Sequence, residues 1–237
     1  MNTILILMLN ILLLGCESET EETQATVDIE DSSQNEDTGS TIPMDTGGEE
    51  EEDCEPVVYD PNPFASSIVS FSPGDGAGFG QDSLPDIVLG PPIGGGERSG
   101  SLDVLTLGQN GEIVLGFDVP IIDGAGADLI VYENPFIGWP ESGIVSVSQD
   151  GETWYSWPCD SLNSDAAYPG CAGITPTLSH PDNCIDATDP SSAGGDHFDL
   201  AELGLSSASF VRIQDSGDNP DGGFDLDSVA VIHAASN

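Results

Sequence analysis

Basic residues are almost missing from this sequence. It has no lysine, and Arg98 and Arg212 stand against 43 acidic residues, which gives a formal net charge of -41. A surface of this charge repels nucleic-acid phosphates and anionic lipids, so binding to either by counterion release is excluded. The absence of lysine also excludes Schiff-base catalysis and P-loop nucleotide binding, because both need its amino group. Such a surface attracts cations, and Ca²⁺ prefers the carboxylate and carbonyl oxygens that this chain offers.

Long hydrophobic runs are also scarce. The apolar run at residues 4–14 is too short to cross a bilayer as a mature helix, but its length is typical of the core of a signal peptide. It ends in LLGC at residues 13–16, which resembles the bacterial lipobox, where the cysteine thiol receives diacylglycerol. We therefore predict a lipoprotein signal peptide at residues 1–15, a lipid-anchored Cys16, and delivery to the bacterial outer membrane or cell surface. A plain secretory signal is the alternative, because no Lys or Arg precedes the apolar run.

The segment after the cysteine is acidic and poor in apolar residues. Residues 17–55 contain 16 acidic residues and no basic ones. Such a composition cannot bury enough apolar surface to offset the entropy lost on ordering. We predict that residues 16–55 are the lipidated cysteine and a disordered acidic linker, and that residues 56–237 fold.

The foldable part consists of short apolar runs separated by turns rich in Gly, Pro and Asp. Candidate strands are residues 66–71, 86–89, 102–107, 112–117, 128–133, 144–148, 153–157, 209–214 and 226–233. Many short strands with this punctuation predict an all-β fold, an antiparallel β-sandwich of the jelly-roll type. The Asp150-Gly151 pair predicts a hairpin with a type I′ turn.

Several segments resemble known extracellular domains. The sequences VSVSQDGETW (residues 145–154) and FVRI (residues 210–213) resemble strands of discoidin-type, galactose-binding-like jelly rolls. Other segments resemble a family of uncharacterised bacterial cell-surface lipoproteins: LGQNGEIVLGF, DLIVYENPF, GGDHFDL and GGFDLDSVAV, at residues 107–117, 128–136, 194–200 and 222–231. The resemblance covers nearly all of residues 65–233 and implies a jelly-roll fold for them.

Acidic residues near the predicted strand ends are candidates for a metal site. Asp225 and Asp227 lie two residues apart at the start of the last strand, so their side chains share one face and repel each other unless compensated. The resemblance to discoidin-like domains implies that Asp227, with Asp225, holds calcium against the loop at residues 91–100. Further candidate oxygen donors are Glu133, Asn134, Asp196 and Asp199. The alternative is that each side chain caps a turn or faces water.

Four cysteines follow Cys16, an even number in a chain predicted to leave the cytoplasm, so disulfides are expected. Four cysteines allow three pairings. We favour Cys159–Cys171, which closes a loop containing Gly and Pro, together with Cys54–Cys184 at the entrance of the domain. A zinc site is the alternative, but the spacing does not match a common ligand pattern.

Aromatic residues cluster in and beside the predicted hairpin. Exposed rings on the rim of a jelly roll can stack on sugar rings, so Trp139, in a Gly-Trp-Pro loop, and Tyr168 are candidate ligand-binding residues. Trp154 lies on a predicted strand and is expected in the core instead.

Catalytic signatures are missing from the sequence. It has no Gly-x-Ser-x-Gly elbow, HExxH motif or G-x-G-x-x-G loop, so we expect no enzymatic activity. We predict a lipid-anchored surface module that binds a glycan or another extracellular ligand, with loops stabilised by calcium. A structural or adhesive surface protein with a protein partner is the first alternative. An exported hydrolase is the second, because the members of a catalytic triad can be distant in the chain.

Overall fold

The computed structural model describes residues 54–218 and 223–235 of the chain. The predicted signal peptide, the predicted lipid anchor at Cys16 and nearly all of the predicted acidic linker lie outside these residues. None of the helices in the two described ranges has the length and the hydrophobicity that a membrane span requires.

Short strands dominate the secondary structure of the described residues. They are β1 (Ser67–Ser72), β2 (Leu105–Thr106), β3 (Glu112–Ile122), β4 (Leu129–Glu133), β5 (Gly143–Ser148), β6 (Tyr155–Ser156), β7 (Asp196–Phe198), β8 (Ser207–Asp215) and β9 (Asp225–Val231). Short 3₁₀ helices are formed by Gln81–Ser83, Asp86–Val88, Ser164–Ala166 and Leu200–Leu203. Loops carry most of the remaining chain, as the many Gly and Pro residues predict.

The strands form two sheets that pack as a sandwich. Over the described residues, one sheet has the order β1-β3-β8-β5-β6 and the other has the order β2-β9-β4-β7. Every pairing between these strands is antiparallel. Consecutive strands such as β3 and β4 belong to different sheets, so the chain crosses between the layers. The predicted antiparallel β-sandwich is confirmed.

The core lies between the sheets and follows the alternation of apolar residues. Val145 and Val147 of β5 pair with Ile213 and Val211 of β8, and all four side chains are buried. The facing sheet contributes Leu129, Val131, Leu226, Val229 and Val231 to the same core. Because each buried aliphatic side chain stabilises the fold by about 1.5–3 kcal/mol, this layer is the main source of stability.

The sheet that contains β4 is covered on its outer face as well. Ile130 and Tyr132 of β4 form a second apolar cluster with Phe64 and with Ala230 of β9. The Tyr132 hydroxyl donates a hydrogen bond to the Ala187 carbonyl at 2.5 Å, which attaches the loop before β7 to the sheet. A strand covered on both faces is apolar throughout, and the sequence of β4, LIVYE, is apolar up to its last residue.

One of the strand predictions is wrong, and one strand of the structure is not predicted. Residues 86–89 do not form a strand, because Asp86–Val88 is a 3₁₀ helix that buries Ile87 and Val88. A short apolar run does not by itself distinguish a strand from a buried helical turn. Strand β7 is not among the predicted strands, since three residues are too few to show alternation.

The turn between β5 and β6 also differs from the prediction. A type I′ turn needs positive φ angles at both central residues, and of the Asp150-Gly151 pair Gly151 alone has one, 75°. The Asp150 carboxylate instead accepts hydrogen bonds from the N–H groups of Glu152 and Thr153 at 2.8 and 2.7 Å. These bonds between side chain and backbone favour a longer loop over the two-residue turn.

Disulfides join the cysteine pairs that the sequence favours. Cys54 is bonded to Cys184, 130 residues along the chain, and Cys159 is bonded to Cys171, 12 residues along. The first links the start of the described chain to the loop before β7, and the second closes the loop after β6. The alternative of a zinc site is therefore wrong for these cysteines.

Candidate metal centre

Two acidic side chains meet where β4 ends and β9 begins. Glu133 is the last residue of β4, and Asp225 is the first residue of β9, its neighbour in the sheet. The pairing register shifts between Tyr132 and Glu133, and the Asp225 N–H donates to Glu133 Oε1 at 3.1 Å. Antiparallel pairing thus places one carboxylate from each strand at the same end of the sheet.

A third carboxylate joins them from the connection between β4 and β5. Residues 134–142, the β4–β5 loop, return the chain so that Glu141 approaches Glu133 and Asp225. One carboxylate oxygen from each of the three lies within 4.8 Å of the other two. The Glu141 N–H donates to the Gly173 carbonyl at 3.1 Å, which holds this end of the loop in place. We call Glu133, Glu141 and Asp225 the carboxylate cluster.

The carboxylate cluster contains polar atoms that lack a hydrogen bond. Glu133 is fully buried, and within the described residues neither Glu133 Oε2 nor Asp225 Oδ1 has a hydrogen-bond partner. Burial, and then the charges of Glu141 and Asp225, raise the pKa of Glu133 well above its ordinary value. Burial also raises the pKa of Asp225. Buried carboxylates with unpaired oxygens are costly, and a bound cation would remove both the repulsion and the unpaired acceptors.

Neutral side chains surround the cluster and orient it. The side chains of Thr106 and Asn134 are hydrogen-bonded to Asp225, which partly offsets the rise in its pKa. Asn134 Nδ2 also donates to the Ser101 carbonyl at 2.8 Å. Asn134, a predicted oxygen donor, therefore lies at the cluster but uses its amide nitrogen to connect Asp225 with the loop around Ser101. The site consists of oxygen ligands, which suits a hard cation and not zinc bound by Cys or His.

The carboxylate of Asp227 contacts the predicted loop, but it does so by accepting a hydrogen bond from the backbone of that loop. The Ile93 N–H lies 3.1 Å from both oxygens of the buried Asp227 carboxylate, so the loop at residues 91–100 docks directly on β9. Burial raises the pKa of Asp227 to about 8, although the Ile93 hydrogen bond opposes this rise. Asp227 is not part of the carboxylate cluster that its neighbour Asp225 joins.

Asp196 also accepts hydrogen bonds from the backbone. Its Oδ2 accepts from Ile174 N–H at 2.9 Å, and its Oδ1 accepts from Thr175 N–H at 3.2 Å. The carboxylate therefore holds the loop before β7 against that strand. Burial raises the pKa of Asp196, and these hydrogen bonds lower it in part.

Asp199 belongs to a second carboxylate group, with Asp123 and Asp128. Asp199 caps the 3₁₀ helix Leu200–Leu203 by accepting from the Ala201 N–H at 2.8 Å. The fully buried Asp128 accepts from Gly124 N–H, from Leu200 N–H and from His233 Nδ1, each at 2.8 Å. Because these donors compensate the Asp128 charge, this group lacks the unpaired buried oxygens of the carboxylate cluster.

The β4–β5 loop carries exposed apolar side chains between two acidic residues of the cluster. Trp139 is 48% exposed, and its ring stacks on that of Phe136 with centroids 6.3 Å apart. Ile137, between them, is 71% exposed, and its N–H donates to the Glu97 carbonyl at 3.0 Å. The loop therefore presents two stacked rings to solvent, between Glu133 and Glu141 in the chain.

The other aromatic residues take different places. Tyr168 is half-buried in the loop that the Cys159–Cys171 disulfide closes. Trp154 is half-buried outside the core, where the Arg212 guanidinium lies 4.5 Å from the centre of its ring. The prediction of Trp154 in the core is therefore wrong, and the buried tryptophan of the hairpin is Trp157.

Sequence reasoning missed Glu141 as a member of the cluster. Glu133 and Glu141 stand at the two ends of one short loop, and that spacing is a signal which the sequence does contain. Asp123 and Asp128 of the second group flank a Gly-rich turn, with no local pattern that distinguishes them from other acidic residues. Comparison with known proteins finds no matching family model and no matching curated protein.

Proposed function

We propose that this protein is a non-catalytic, lipid-anchored binding module of the bacterial outer membrane or cell surface. Its ligand is a glycan or another extracellular molecule, and calcium stabilises its binding loop. One observation carries the proposal: the stacked rings of Phe136 and Trp139 stand on a loop whose ends are the buried Glu133 and the partly buried Glu141.

Calcium is the cation that best fits the carboxylate cluster. It accepts six to eight oxygen ligands in flexible geometry, whereas magnesium demands near-ideal octahedral geometry and retains its waters. Glu133, Glu141 and Asp225 supply three carboxylates, and Glu133 is too deeply buried to be solvated by bulk water. Neighbouring carbonyls and waters would complete the shell.

Calcium would act on the ligand surface through the ends of the β4–β5 loop. Without a cation, Glu133 and Glu141 repel each other, which favours separation of the two loop ends. With a cation bound to both, the loop is closed at its base, and Phe136 and Trp139 are held in one arrangement. A preorganised aromatic surface binds a ligand with less loss of entropy than a flexible one. Aromatic rings of this kind can pack on the apolar face of a sugar.

Membrane attachment rests on the sequence, since Cys16 lies outside the described residues. The acidic segment between Cys16 and the fold would act as a spacer, because charged linkers repel themselves and extend. A chain with 43 acidic residues and two basic ones would also be repelled by anionic lipid, so the domain would be held away from the membrane that anchors it.

Thermal unfolding of the full chain tests the calcium site. At ten times the dissociation constant, calcium stabilises the fold by about 1.4 kcal/mol, which raises Tm by about 3–6 °C relative to EDTA in a protein of this size. Glu133→Gln is expected to abolish this rise. In EDTA the variant should melt no lower than wild type, because the amide of Gln carries no charge to bury beside Glu141 and Asp225.

The control variant is Glu152→Gln, which neutralises an exposed glutamate on the β5–β6 loop. It should retain the full response to calcium. A wild-type Tm that is the same in calcium and in EDTA would exclude the calcium site.

A glycan array probed with the full chain tests the ligand surface. Some glycan binding should depend on calcium, and this calcium-dependent binding should be lost in Trp139→Ala. A chain that binds no glycan but retains a calcium-dependent protein partner would favour the adhesive alternative. Calcium-dependent binding that persists unchanged in Trp139→Ala would contradict the assignment of the β4–β5 loop.

A further inference from the structure

A groove on the outer face of the sheet that contains β3 and β8 lies outside the site described above. We call it the outer-sheet groove; it encloses about 410 Å³. Its walls combine aromatic, charged and hydroxyl side chains, chiefly Glu112, Trp154, Phe210, Arg212, Asp150 and Ser70. Trp154 and Asp150 come from the loop after β5, whereas the β4–β5 loop precedes β5, so the two candidate surfaces lie at opposite ends of that strand.

Alternation along the strands explains why these side chains meet. On β8, Val211 and Ile213 face the core, so Phe210 and Arg212 point to the outer face. Arg212 pairs with Val114 of β3 and with Ser146 of β5. The long β5–β6 loop, which replaces the predicted tight turn, then lays Trp154 over Arg212.

The Arg212 guanidinium is placed at the groove but loosely bonded there. Its Nε lies 3.7 Å from Glu112 Oε2, beyond hydrogen-bond length, and within the described residues this nitrogen has no hydrogen-bond partner. A terminal nitrogen approaches the Ser146 hydroxyl at 3.4 Å, a long contact. A guanidinium has five N–H donors, and because Nε is buried, the donors that remain for a ligand are those of the terminal nitrogens.

The charge of the groove selects against anions. Glu112 and Asp150 outnumber Arg212, and backbone hydrogen bonds from Thr153 and Glu152 lower the pKa of Asp150 to about 2, so that carboxylate is ionised at neutral pH. The chain as a whole carries a net charge of -41. A phosphate, sulfate or carboxylate on a ligand would be repelled.

The groove therefore suits a ligand without negative charge that has apolar faces, hydroxyl donors for carboxylates and hydroxyl acceptors for a guanidinium. We propose that the outer-sheet groove is a binding site for a neutral saccharide. Sugar C–H faces pack on the rings of Trp154 and Phe210, and neighbouring hydroxyls bridge Glu112 and Arg212. The site is independent of calcium and of Trp139.

Titration of the full chain with neutral hexasaccharides tests the proposal. The probes are the hexamers of glucan, mannan, xylan, galactan and chitin, with hexagalacturonate as the anionic counterpart, and binding is followed by saturation-transfer NMR. At least one neutral hexamer should bind in both calcium and EDTA, and hexagalacturonate should bind about tenfold more weakly or not at all.

Matched variants locate the site. Trp154→Ala should weaken binding by about tenfold or more, and Trp154→Phe, which retains a ring, should weaken it less. Glu112→Gln, which retains shape, should also weaken binding, whereas Trp139→Ala should leave it unchanged. Circular dichroism and Tm of each variant show whether it is folded. If Trp154→Ala does not fold, Glu112→Gln is the variant that tests the groove.

The results separate this site from the β4–β5 loop. The groove proposal is overturned if no neutral hexamer binds, if hexagalacturonate binds as tightly, or if Trp154→Ala and Glu112→Gln both bind normally. Binding that is lost in EDTA and in Trp139→Ala alone would support the calcium-dependent surface and overturn the groove. Binding that is lost in Trp154→Ala but kept in Trp139→Ala and in EDTA would support the groove.

Discussion

Buried carboxylates in this protein are compensated mainly by backbone N–H groups. In a chain without lysine, few side chains can neutralise them, and Asp128, Asp196, Asp215 and Asp227 all accept hydrogen bonds from the main chain. Asp215, for example, accepts from the N–H groups of three residues on the loops around it. Glu133 and Asp225 depart from this pattern, because each retains a buried oxygen with no hydrogen bond among the described residues. That difference is the reason to place a cation at their cluster.

Asp150 should make the stability of the protein sensitive to acid. The N–H groups of Thr153 and Glu152 hydrogen-bond its ionised form and lower its pKa to about 2. A carboxyl group with a depressed folded-state pKa stabilises the fold above its unfolded pKa of about 3.9, and this contribution is lost as pH falls toward 2. We expect Asp150→Ala to have a lower Tm than wild type at pH 7. Between pH 4 and pH 2, the Tm of Asp150→Ala should fall by less than the Tm of wild type.

Thermal melts across this pH range check the prediction. Glu152→Gln is the matched control, since Glu152 is exposed on the same loop. This variant should show the same dependence of Tm on pH as wild type. Equal acid sensitivity in wild type and in Asp150→Ala would show that the hydrogen bonds at this loop do not couple to folding.

Strand β5 depends on a close approach at its first residue. A Cβ atom on Gly143 would lie 2.4 Å from Cδ2 of Phe224, whose ring is fully buried in the core. Gly143 also pairs with Ala172, and Glu141 lies just before it, so a displaced strand start would disturb the carboxylate cluster too. The start of β5 and the carboxylate cluster are therefore mechanically connected.

Gly143→Ala should destabilise the fold by about 1–3 kcal/mol, because the methyl group overpacks a filled core. Denaturant unfolding measures the change. Gly78→Ala is the control, since a Cβ at Gly78 meets no atom within 4 Å and the residue has no positive φ angle. If Gly143→Ala were as stable as Gly78→Ala, the core around Phe224 would have room that the structure does not show.

Two disulfides constrain the domain over different distances. Cys54–Cys184 spans 130 residues, and Cys159–Cys171 spans 12. In the chain-entropy account, a cross-link stabilises the fold by restricting the unfolded chain, and the effect grows with the loop that it closes. The long disulfide therefore acts on most of the described chain, and the short one acts on a single loop.

We expect Cys54→Ser/Cys184→Ser to lose about 5 kcal/mol of unfolding free energy and Cys159→Ser/Cys171→Ser to lose about 3 kcal/mol. Urea unfolding of the two double variants beside wild type gives both values. A larger loss for the short disulfide would mean that local packing at the 159–171 loop outweighs chain entropy.

Much of the fold could be predicted from the sequence, because its signals are local. Alternation at Val145 and Val147, the apolar run of β4 and the Gly- and Pro-rich turns act within a few residues, and together they indicate an antiparallel sandwich. The errors also arose from short segments. Residues 86–89 are apolar enough to be buried either as a strand or as a helical turn, and at the Asp150 loop side-chain hydrogen bonds overrode the turn preference.

The sequence by itself determined the acidic character of the protein and its class of fold. It also favoured, among three possible pairings of four cysteines, the two disulfides that the structure contains. Which carboxylates converge was decided by the tertiary structure alone. Asp225 and Asp227 share one side of β9, yet they have different partners. Asp225 contacts Glu133, 92 residues away in the chain, whereas the carboxylate of Asp227 accepts a hydrogen bond from the N–H of Ile93. The physical reason is that side-chain direction follows from the two-residue repeat of a strand, whereas contact depends on which strand lies beside it and where each loop returns.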